Sequence, residues 1–293
     1  MVIINNNCKS ILPKIQIYLI DRFPIFPLFI FTSLVAIAVN TIFHTSLYLK
    51  IISISFIYLQ FLFHLRILDE FKDYLYDKTN HADRPVQRGL ISLNSLKKIG
   101  IINILLLVIL AFSISNLFIV LIFLISLLYT FFMFKEFYVS EYLRKRALLY
   151  LFSHQIVFIP LFIFFYSSLW NRLWIPNNIS QVSHFLFLVL PITIIEFGRK
   201  MKHRVNHKGE ITNDTYAFIW GEKNSLRIFT LLILLESLLS INIVGINQSI
   251  PFGLILLSIV LFLISYSSSR ILIENNMILT TIIALLIPIS LLV

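Results

Sequence analysis

Apolar stretches of about twenty residues alternate with short polar segments along almost the whole chain. An α-helix of that length crosses the hydrocarbon core of a bilayer. The pattern therefore predicts an all-α fold, a polytopic membrane helical bundle of about nine transmembrane helices that forms a single domain over residues 1–293. The predicted spans are Pro24–His44, Ile51–Tyr76, Lys98–Ser115, Leu117–Phe134, Ala147–Leu169, Val182–Lys200, Leu226–Val244, Pro251–Ser267 and Met277–Val293.

The composition supports a membrane protein and excludes several other classes. Hydrophobic residues make up 58% of the chain and charged residues 13%, whereas about a quarter of a soluble domain is charged. Cys8 is the only cysteine, which excludes an intrachain disulfide and a thiolate metal site. The basic residues that give the net charge of +10 lie beside the predicted spans, and the sequence contains no recognisable nucleic-acid-binding module. Anionic lipid and membrane topology therefore explain the basic residues better than nucleic acid does.

The distribution of Lys and Arg predicts the orientation in the membrane. If the amino terminus is cytoplasmic, all but Lys50 and Arg172 of the 24 basic residues lie on the inner side. This bias follows the positive-inside rule and, with an odd number of spans, places the carboxyl terminus outside. The long polar connections after the second and sixth spans then lie at the cytoplasmic face, where we expect the chemistry. A bacterial inner membrane is the expected location.

Three aspartates recur at four-residue steps at the inner end of the second predicted span. Asp69, Asp73 and Asp77 would share one face of a helix and form a carboxylate ladder. Stacked like charges repel one another, and acidic groups near a bilayer are costly without a partner. Mg²⁺ is a suitable partner because it binds one or two carboxylates together with substrate phosphates. The alternative is a solvated helix end in an ion network with the nearby cations Arg66, Lys72, Lys78 and Arg84.

The ladder and the loop after it resemble a known family. Residues 83–92 read Asp-Arg-Pro-Val-Gln-Arg-Gly-Leu-Ile-Ser, and with the spaced aspartates they are similar to the first signature of UbiA-type intramembrane prenyltransferases. The resemblance implies that the three aspartates bind magnesium, and through it the diphosphate of a prenyl donor, and act in catalysis. Arg66, Lys72 and Arg84 are the diphosphate-binding candidates beside the ladder. The predicted helix count and cytoplasmic site agree with the family.

The family's second signature is expected after the sixth span, where the acids are depleted. Glu196 is present, but Lys200 stands where the family pattern has a second aspartate, and residues 215–221 resemble its loop into the seventh helix. One interpretation is that Glu196, with Asp214, holds a metal. The other is that Arg199 and Lys200 contact the diphosphate directly through charge-assisted hydrogen bonds. These cations could also be simple positive-inside anchors.

Two further polar features lie around the fifth predicted span. Lys145 and Arg146 belong to a basic cluster that resembles the family's basic loop near the diphosphate, although topology alone would also explain them. His154 lies deep enough to face a substrate cavity, or it forms a hydrogen bond between helices. Glu236, in the seventh span, is expected to pair inside the bundle.

The resemblance predicts a magnesium-dependent prenyltransferase that moves a prenyl group from its diphosphate to an aromatic or lipid acceptor. The alternative is a UbiA-like membrane protein with altered or lost catalysis, acting as a lipid or isoprenoid binder or as a transporter. The intact ladder favours catalysis, whereas Lys200 favours an altered function. No residue distinguishes one acceptor, or one length of prenyl chain, from another.

Overall fold

The structure, a computed structural model, describes residues 11–43, 45–206, 208–244, 276–289 and 291. In this part of the chain the regular structure is helical, and the single extended pairing is an isolated antiparallel bridge between Val205 and Ile211. The helices are α1 (Ile11–Arg22), α2 (Ile25–Asn40), α3 (Tyr48–Lys72), α4 (Tyr74–Asn80), α5 (Leu93–Ile114), α6 (Leu117–Phe134), α7 (Ser140–Arg144), α8 (Ala147–Gln155), α9 (Phe158–Trp170), α10 (Ile179–Arg199), α11 (Tyr216–Trp220), α12 (Glu222–Val244) and α13 (Asn276–Ile289).

The predicted all-α membrane bundle is confirmed. Within the described ranges, six helical segments are long and apolar enough to cross a membrane, counting α8 and α9 as one segment. A seventh is present if α1 and α2, which meet at an angle of 62°, form one bent span. The predicted span Pro251–Ser267 lies outside the described residues, and α13, which begins one residue before the last predicted span, covers 13 of its residues. The count of nine therefore stays a prediction.

Aromatic side chains fill the centre of the bundle, where α3 meets α9. Tyr58 of α3 is completely buried, and its ring contacts those of Phe162 and Phe165 at centroid distances of 5.6 and 5.7 Å. The outward surfaces of α5 and α6 carry large exposed apolar side chains such as Leu105 and Phe118. Because lipid tails solvate such residues well, close packing of the interior determines which helices contact one another.

Two prolines interrupt the helices. Pro24 separates α1 from α2, and Pro160 follows the two-residue break between α8 and α9. A proline has no N–H to donate, and its ring clashes with the carbonyl four residues earlier, which for Pro160 is that of Ile156. The fifth predicted span is therefore present as two helices joined by a short break. This break sets the direction of α8 independently of α9.

The two long polar connections meet at one end of the bundle, which we call the ladder end. The hydroxyl of Tyr76, in α4, donates to Asn213 Oδ1 over 2.8 Å, and His81 Nε2 lies 3.6 Å from Asp214 Oδ2. These contacts hold the connection after α3 against the one after α10. At the opposite end, Lys50 at the start of α3 donates to the Ser168 carbonyl over 2.7 Å. Both long connections therefore share one face, as the sequence predicts.

The predicted orientation leads to a labelling experiment. In a Cys8→Ser background, we introduce one cysteine at Lys202, exposed at the ladder end, or at Asn177, exposed at the opposite end. A membrane-impermeant thiol reagent applied to intact cells should label Asn177→Cys, whereas Lys202→Cys should react only after permeabilisation. Labelling of Lys202→Cys in intact cells would overturn the predicted orientation.

Candidate functional site

The carboxylate ladder runs through the junction between two helices. α3 ends at Lys72 and α4 begins at Tyr74, so Asp73 lies between them with φ −94° and ψ 7°. The backbone hydrogen bonds nevertheless continue at four-residue steps, from Asp73 N to Asp69 O over 2.9 Å and from Asp77 N to Asp73 O over 2.8 Å. The junction therefore preserves the four-residue repeat.

The outer two of the three ladder carboxylates have different surroundings. Asp77 is buried, with its side chain 3% exposed, and it forms an ion pair with Arg84 and lies 4.0 Å from Arg22. The side chain of Asp69 is 43% exposed, and its nearest cation, Arg66, is 4.0 Å away. Asp77 is thus neutralised inside the protein, whereas Asp69 remains open to a ligand.

Asp73, between them, is the least compensated member. Its side chain is partly buried, and its carboxylate forms no ion pair within 4.0 Å in the described part of the chain. Burial, together with the charges of Asp69 and Asp77, raises the pKa of Asp73 to about 6, against the attraction of Lys72 and Lys200. A carboxylate in this position favours an added cation, because positive charge would offset both the burial and the repulsion.

A buried ion cluster lies beneath the ladder. Glu70 is completely buried, and its Oε1 accepts from Arg22 Nε at 2.8 Å and from Arg66 Nη2 at 2.6 Å. Arg66 and Arg84, both predicted to contact a diphosphate, thus pair first with Glu70 and Asp77 inside the protein. The sequence analysis missed Arg22, which fixes the end of α1 against α3. The one sequence feature that indicates such a partner is Glu70, an acidic residue that faces away from the ladder in an apolar helix.

Lys72 connects the ladder to α8. Its ammonium donates to the Tyr150 hydroxyl over 2.9 Å and lies 5.5 Å from the centroid of that ring. The Tyr150 ring in turn stacks on His154, with centroids 4.1 Å apart and planes 20° apart. The sequence analysis did not single out Tyr150, because nothing in the local pattern separates it from the other 11 tyrosines. Lys72 at the hydroxyl of Tyr150 and His154 on its ring thus form a continuous series of contacts from α3 into α8.

The end of α10 holds the second half of the site. Glu196 uses both of its oxygens, accepting from Lys200 over 2.8 Å and from Arg199 over 2.7 Å. Burial alone would lower the pKa of Lys200, but the neighbouring Glu196 carboxylate raises it overall, so that the ammonium stays charged. The Tyr216 amide donates to the Lys200 carbonyl over 3.0 Å and fixes the turn. Two cations therefore share one carboxylate here.

Asp214 is also occupied by protein groups. Its Oδ2 accepts from Arg204 over 3.0 Å, its Oδ1 accepts from the Thr212 hydroxyl, and His81 is close to the same carboxylate. Burial alone would raise its pKa, but the Thr212 hydrogen bond and the Arg204 charge lower it. In the described ranges, no group of three or more His, Cys, Asp or Glu side chains is placed to hold a metal ion. Asp214 and Glu196 thus belong to separate clusters.

The basic cluster before α8 lies apart from these contacts. Lys145 and Arg146 are exposed, and the Arg146 guanidinium stacks 3.8 Å from the centroid of the Tyr142 ring. Arg146 also donates to the Tyr142 carbonyl, over 3.4 Å. The charges of Lys72 and Lys200 act on Asp73, one turn after Asp69, and Arg199 shares Glu196 with Lys200. Lys145 and Arg146 remain outside the contacts described above.

The buried Glu70 cluster predicts a large loss of stability on charge removal. Glu70→Gln leaves two buried guanidinium groups without their carboxylate, and we expect it to lower the free energy of unfolding by about 3–5 kcal/mol. Denaturant unfolding of the purified protein in detergent measures the change. Asp21→Asn is the control, since its ion pair with Arg88 is nearly half exposed and should be worth less than about 1 kcal/mol. Equal effects of the two variants would contradict a structural role for Glu70.

Comparisons with known proteins agree with the fold. No protein-family model matches the sequence, and no curated protein matches it. The structure matches a solved digeranylgeranylglyceryl phosphate synthase of membranes with a TM-score of 0.58 and 18% sequence identity, over 95% of this chain and 97% of that chain. That protein is a UbiA-type intramembrane prenyltransferase. The resemblance seen in the sequence is therefore confirmed at the level of architecture, and this chain has the fold of a UbiA-type intramembrane prenyltransferase.

Proposed function

We propose that this protein transfers a prenyl group from a prenyl diphosphate to an aromatic or lipid acceptor, with Mg²⁺ bound at the ladder end. The observation that carries the proposal is the pair of ladder carboxylates without a close cation, Asp69 and Asp73, with Lys200 at the end of α10 near enough for its charge to act on Asp73. The fold shared with a membrane digeranylgeranylglyceryl phosphate synthase supports the same class of reaction.

The residues of the ladder fit one magnesium ion. Asp69 and Asp73 offer the hard oxygen ligands that Mg²⁺ prefers, and this ion commonly uses one or two carboxylates plus phosphate oxygens and water. The raised pKa of Asp73 supports the fit, because it indicates a shortage of positive charge at that position. When bound, the metal would stabilise negative charge developing on the leaving diphosphate.

The residues of the second half do not fit a second metal. Both Glu196 oxygens are taken by Arg199 and Lys200, and the Asp214 carboxylate is taken by Arg204 and Thr212. Of the two interpretations of this region, we therefore favour the one in which Arg199 and Lys200 contact the diphosphate directly. Arg199 Nε has no hydrogen-bond partner among the described residues and remains a free donor for such a contact.

The cations beside the ladder and at the end of α10 would act mainly through their charge. Lys72, Arg199 and Lys200 bind and orient the diphosphate, so that the bond between its oxygen and the prenyl C1 carbon can break with the electron pair leaving on oxygen. The Tyr150 ring, already beside Lys72, offers an aromatic face to the allylic cation that develops. The acceptor then forms the new bond to C1. The apolar interior excludes the water that would otherwise compete.

Replacement of Asp73 tests the proposed reaction. We expect Asp73→Asn to lower magnesium-dependent diphosphate release from prenyl diphosphates by about a hundredfold or more, because it removes a ligand carboxylate at a site of developing charge. Release is measured with the purified protein, donors of several lengths, and a pool of aromatic and lipid acceptors. Asp83→Asn, at an exposed position of the same connection, is the matched control and should behave as wild type.

The same assay separates the competing function. A wild-type protein that binds the donor but releases no diphosphate with any acceptor would favour a UbiA-like binder or transporter over an enzyme. Equal release by Asp73→Asn and wild type would contradict the role of the ladder.

Replacement of Lys200 tests how the second half of the site binds the donor. Lys200→Gln removes a charged hydrogen-bond donor to the diphosphate, and we expect it to raise the KM for the donor about tenfold or more at saturating magnesium. Lys202→Gln is the control, because Lys202 is exposed on the same connection. An unchanged KM together with tighter magnesium binding would instead favour a metal held by Glu196.

A further inference from the structure

His154 is a partly buried histidine that takes no part in the proposed binding of the diphosphate. It lies on α8 one helical turn beyond Tyr150, and its Nδ1 is 2.8 Å from the Tyr150 carbonyl oxygen. A carbonyl can only accept a hydrogen bond, so Nδ1 carries the proton in this contact. In the neutral ring, Nε2 then holds a lone pair and is the free proton acceptor.

The Nε2 atom is covered but has no partner. It is buried and makes no hydrogen bond within the described part of the chain. Such an atom calls for an explanation, because burying a polar group without a hydrogen-bond partner is costly. Gln155 Oε1, the next side chain, is also buried and unpaired, but an amide oxygen is too weak a base to hold a proton.

A strained turn contributes to the surroundings of the His154 ring. Glu136, Phe137 and Tyr138 all have positive φ, at 47°, 54° and 61°, which is costly for residues other than glycine. The turn places the Phe137 ring edge-on to His154 with centroids 6.0 Å apart, while the face of Tyr150 lies 4.1 Å away. Packing thus keeps two aromatic rings beside the imidazole and limits its contact with water.

The imidazole is also close to the proposed reaction centre. Tyr150, on which it stacks, accepts the hydrogen bond of Lys72, and the charges that act on His154 are those of Lys72, Lys200 and Asp69. If the diphosphate is held by these cations and by metal on the ladder, C1 of the prenyl chain lies at the apolar side of that cluster. His154 lies one helical turn further than Tyr150 into the apolar segment formed by α8 and α9.

We propose that His154 Nε2 accepts the proton that the acceptor loses during prenyl transfer. The inference rests on the proposed function and concerns the same site. The acceptor atom forms a bond to C1, the bond between C1 and the diphosphate oxygen breaks with its electron pair on oxygen, and the acceptor's proton moves to Nε2, giving an imidazolium. The substrate class is an acceptor that gives up a proton, either from a hydroxyl group or from an activated aromatic carbon.

The test compares transfer with hydrolysis in one protein. His154→Asn places an amide N–H where Nδ1–H was, keeping the bond to the Tyr150 carbonyl, and removes the base. The ratio of prenylated acceptor to donor hydrolysed by water is measured with an alcohol lipid and, separately, with a phenolic acceptor. We expect this ratio to fall on the order of a hundredfold for the true acceptor class. Magnesium-dependent donor hydrolysis and donor affinity should stay at the wild-type level.

Two further variants keep the result interpretable. His154→Gln places a weakly basic amide near the Nε2 position and should lower the ratio as His154→Asn does. His184→Asn is the matched control, since His184 is a buried histidine on α10 bonded to Tyr166 and Thr41 at the far end of the bundle. The ratio of prenylated acceptor to hydrolysed donor does not depend on how much of the protein is folded. A partly unstable variant therefore still shows whether His154 acts in transfer.

The outcomes are distinct. A wild-type ratio in both His154 variants, or equal losses of transfer and hydrolysis, would overturn the role of Nε2 and leave the proposed function intact. Failure of the wild-type protein to transfer or hydrolyse any donor would overturn the proposed function itself. A loss of transfer confined to one acceptor arm would support the inference and identify the acceptor class.

Discussion

The burial of Glu70 between Arg22 and Arg66 is the interaction on which the rest of the site depends. An ionised carboxylate in an apolar bundle is costly without compensating positive charge, and the two guanidinium groups supply that charge to Glu70. This requirement ties the end of α1 to the last turns of α3. Arg22 and Arg66 pair with Glu70, and Arg84 pairs with Asp77. The ladder carboxylates left without a close cation are therefore Asp69 and Asp73.

The open charges form two unequal halves. One half has two carboxylates, Asp69 and Asp73, with their cations at a distance, and the other has two cations, Arg199 and Lys200, that share Glu196. A diphosphate with bound metal complements both halves, since its metal faces the carboxylates and its free oxygens face the cations. In the proposed function, Lys200 would supply the positive charge that a second metal would otherwise bring. That exchange would account for a lysine at the position where the family signature has an aspartate.

Much of the architecture could be predicted from residue patterns, because hydropathy and the positive charges reflect the bilayer directly. The four-residue spacing of the aspartates likewise survives the junction at Asp73, since the backbone hydrogen bonds continue through it. The different roles of the three aspartates could not be predicted. Asp77 is distinguished by Arg84 and Arg22, and the contact with Arg22 spans more than fifty positions of sequence. Tyr150 and the unpaired Nε2 of His154 become evident only when α8 packs near α3.

The lengths of the helices relate the site to the membrane itself. α3 has 25 residues and so extends about 37 Å, whereas α6, with 18 residues, extends about 27 Å, close to the hydrocarbon thickness of a bilayer. A helix of this length exceeds the hydrocarbon thickness, which leaves room for charged last turns, such as those of α3 with Asp69, at the level of the lipid headgroups. Hydrophobic mismatch makes this projection depend on the host bilayer: thicker lipids draw the carboxylates toward hydrocarbon, and thinner lipids leave them hydrated. In the proposed function, membrane thickness would thereby influence how strongly the ladder attracts a cation.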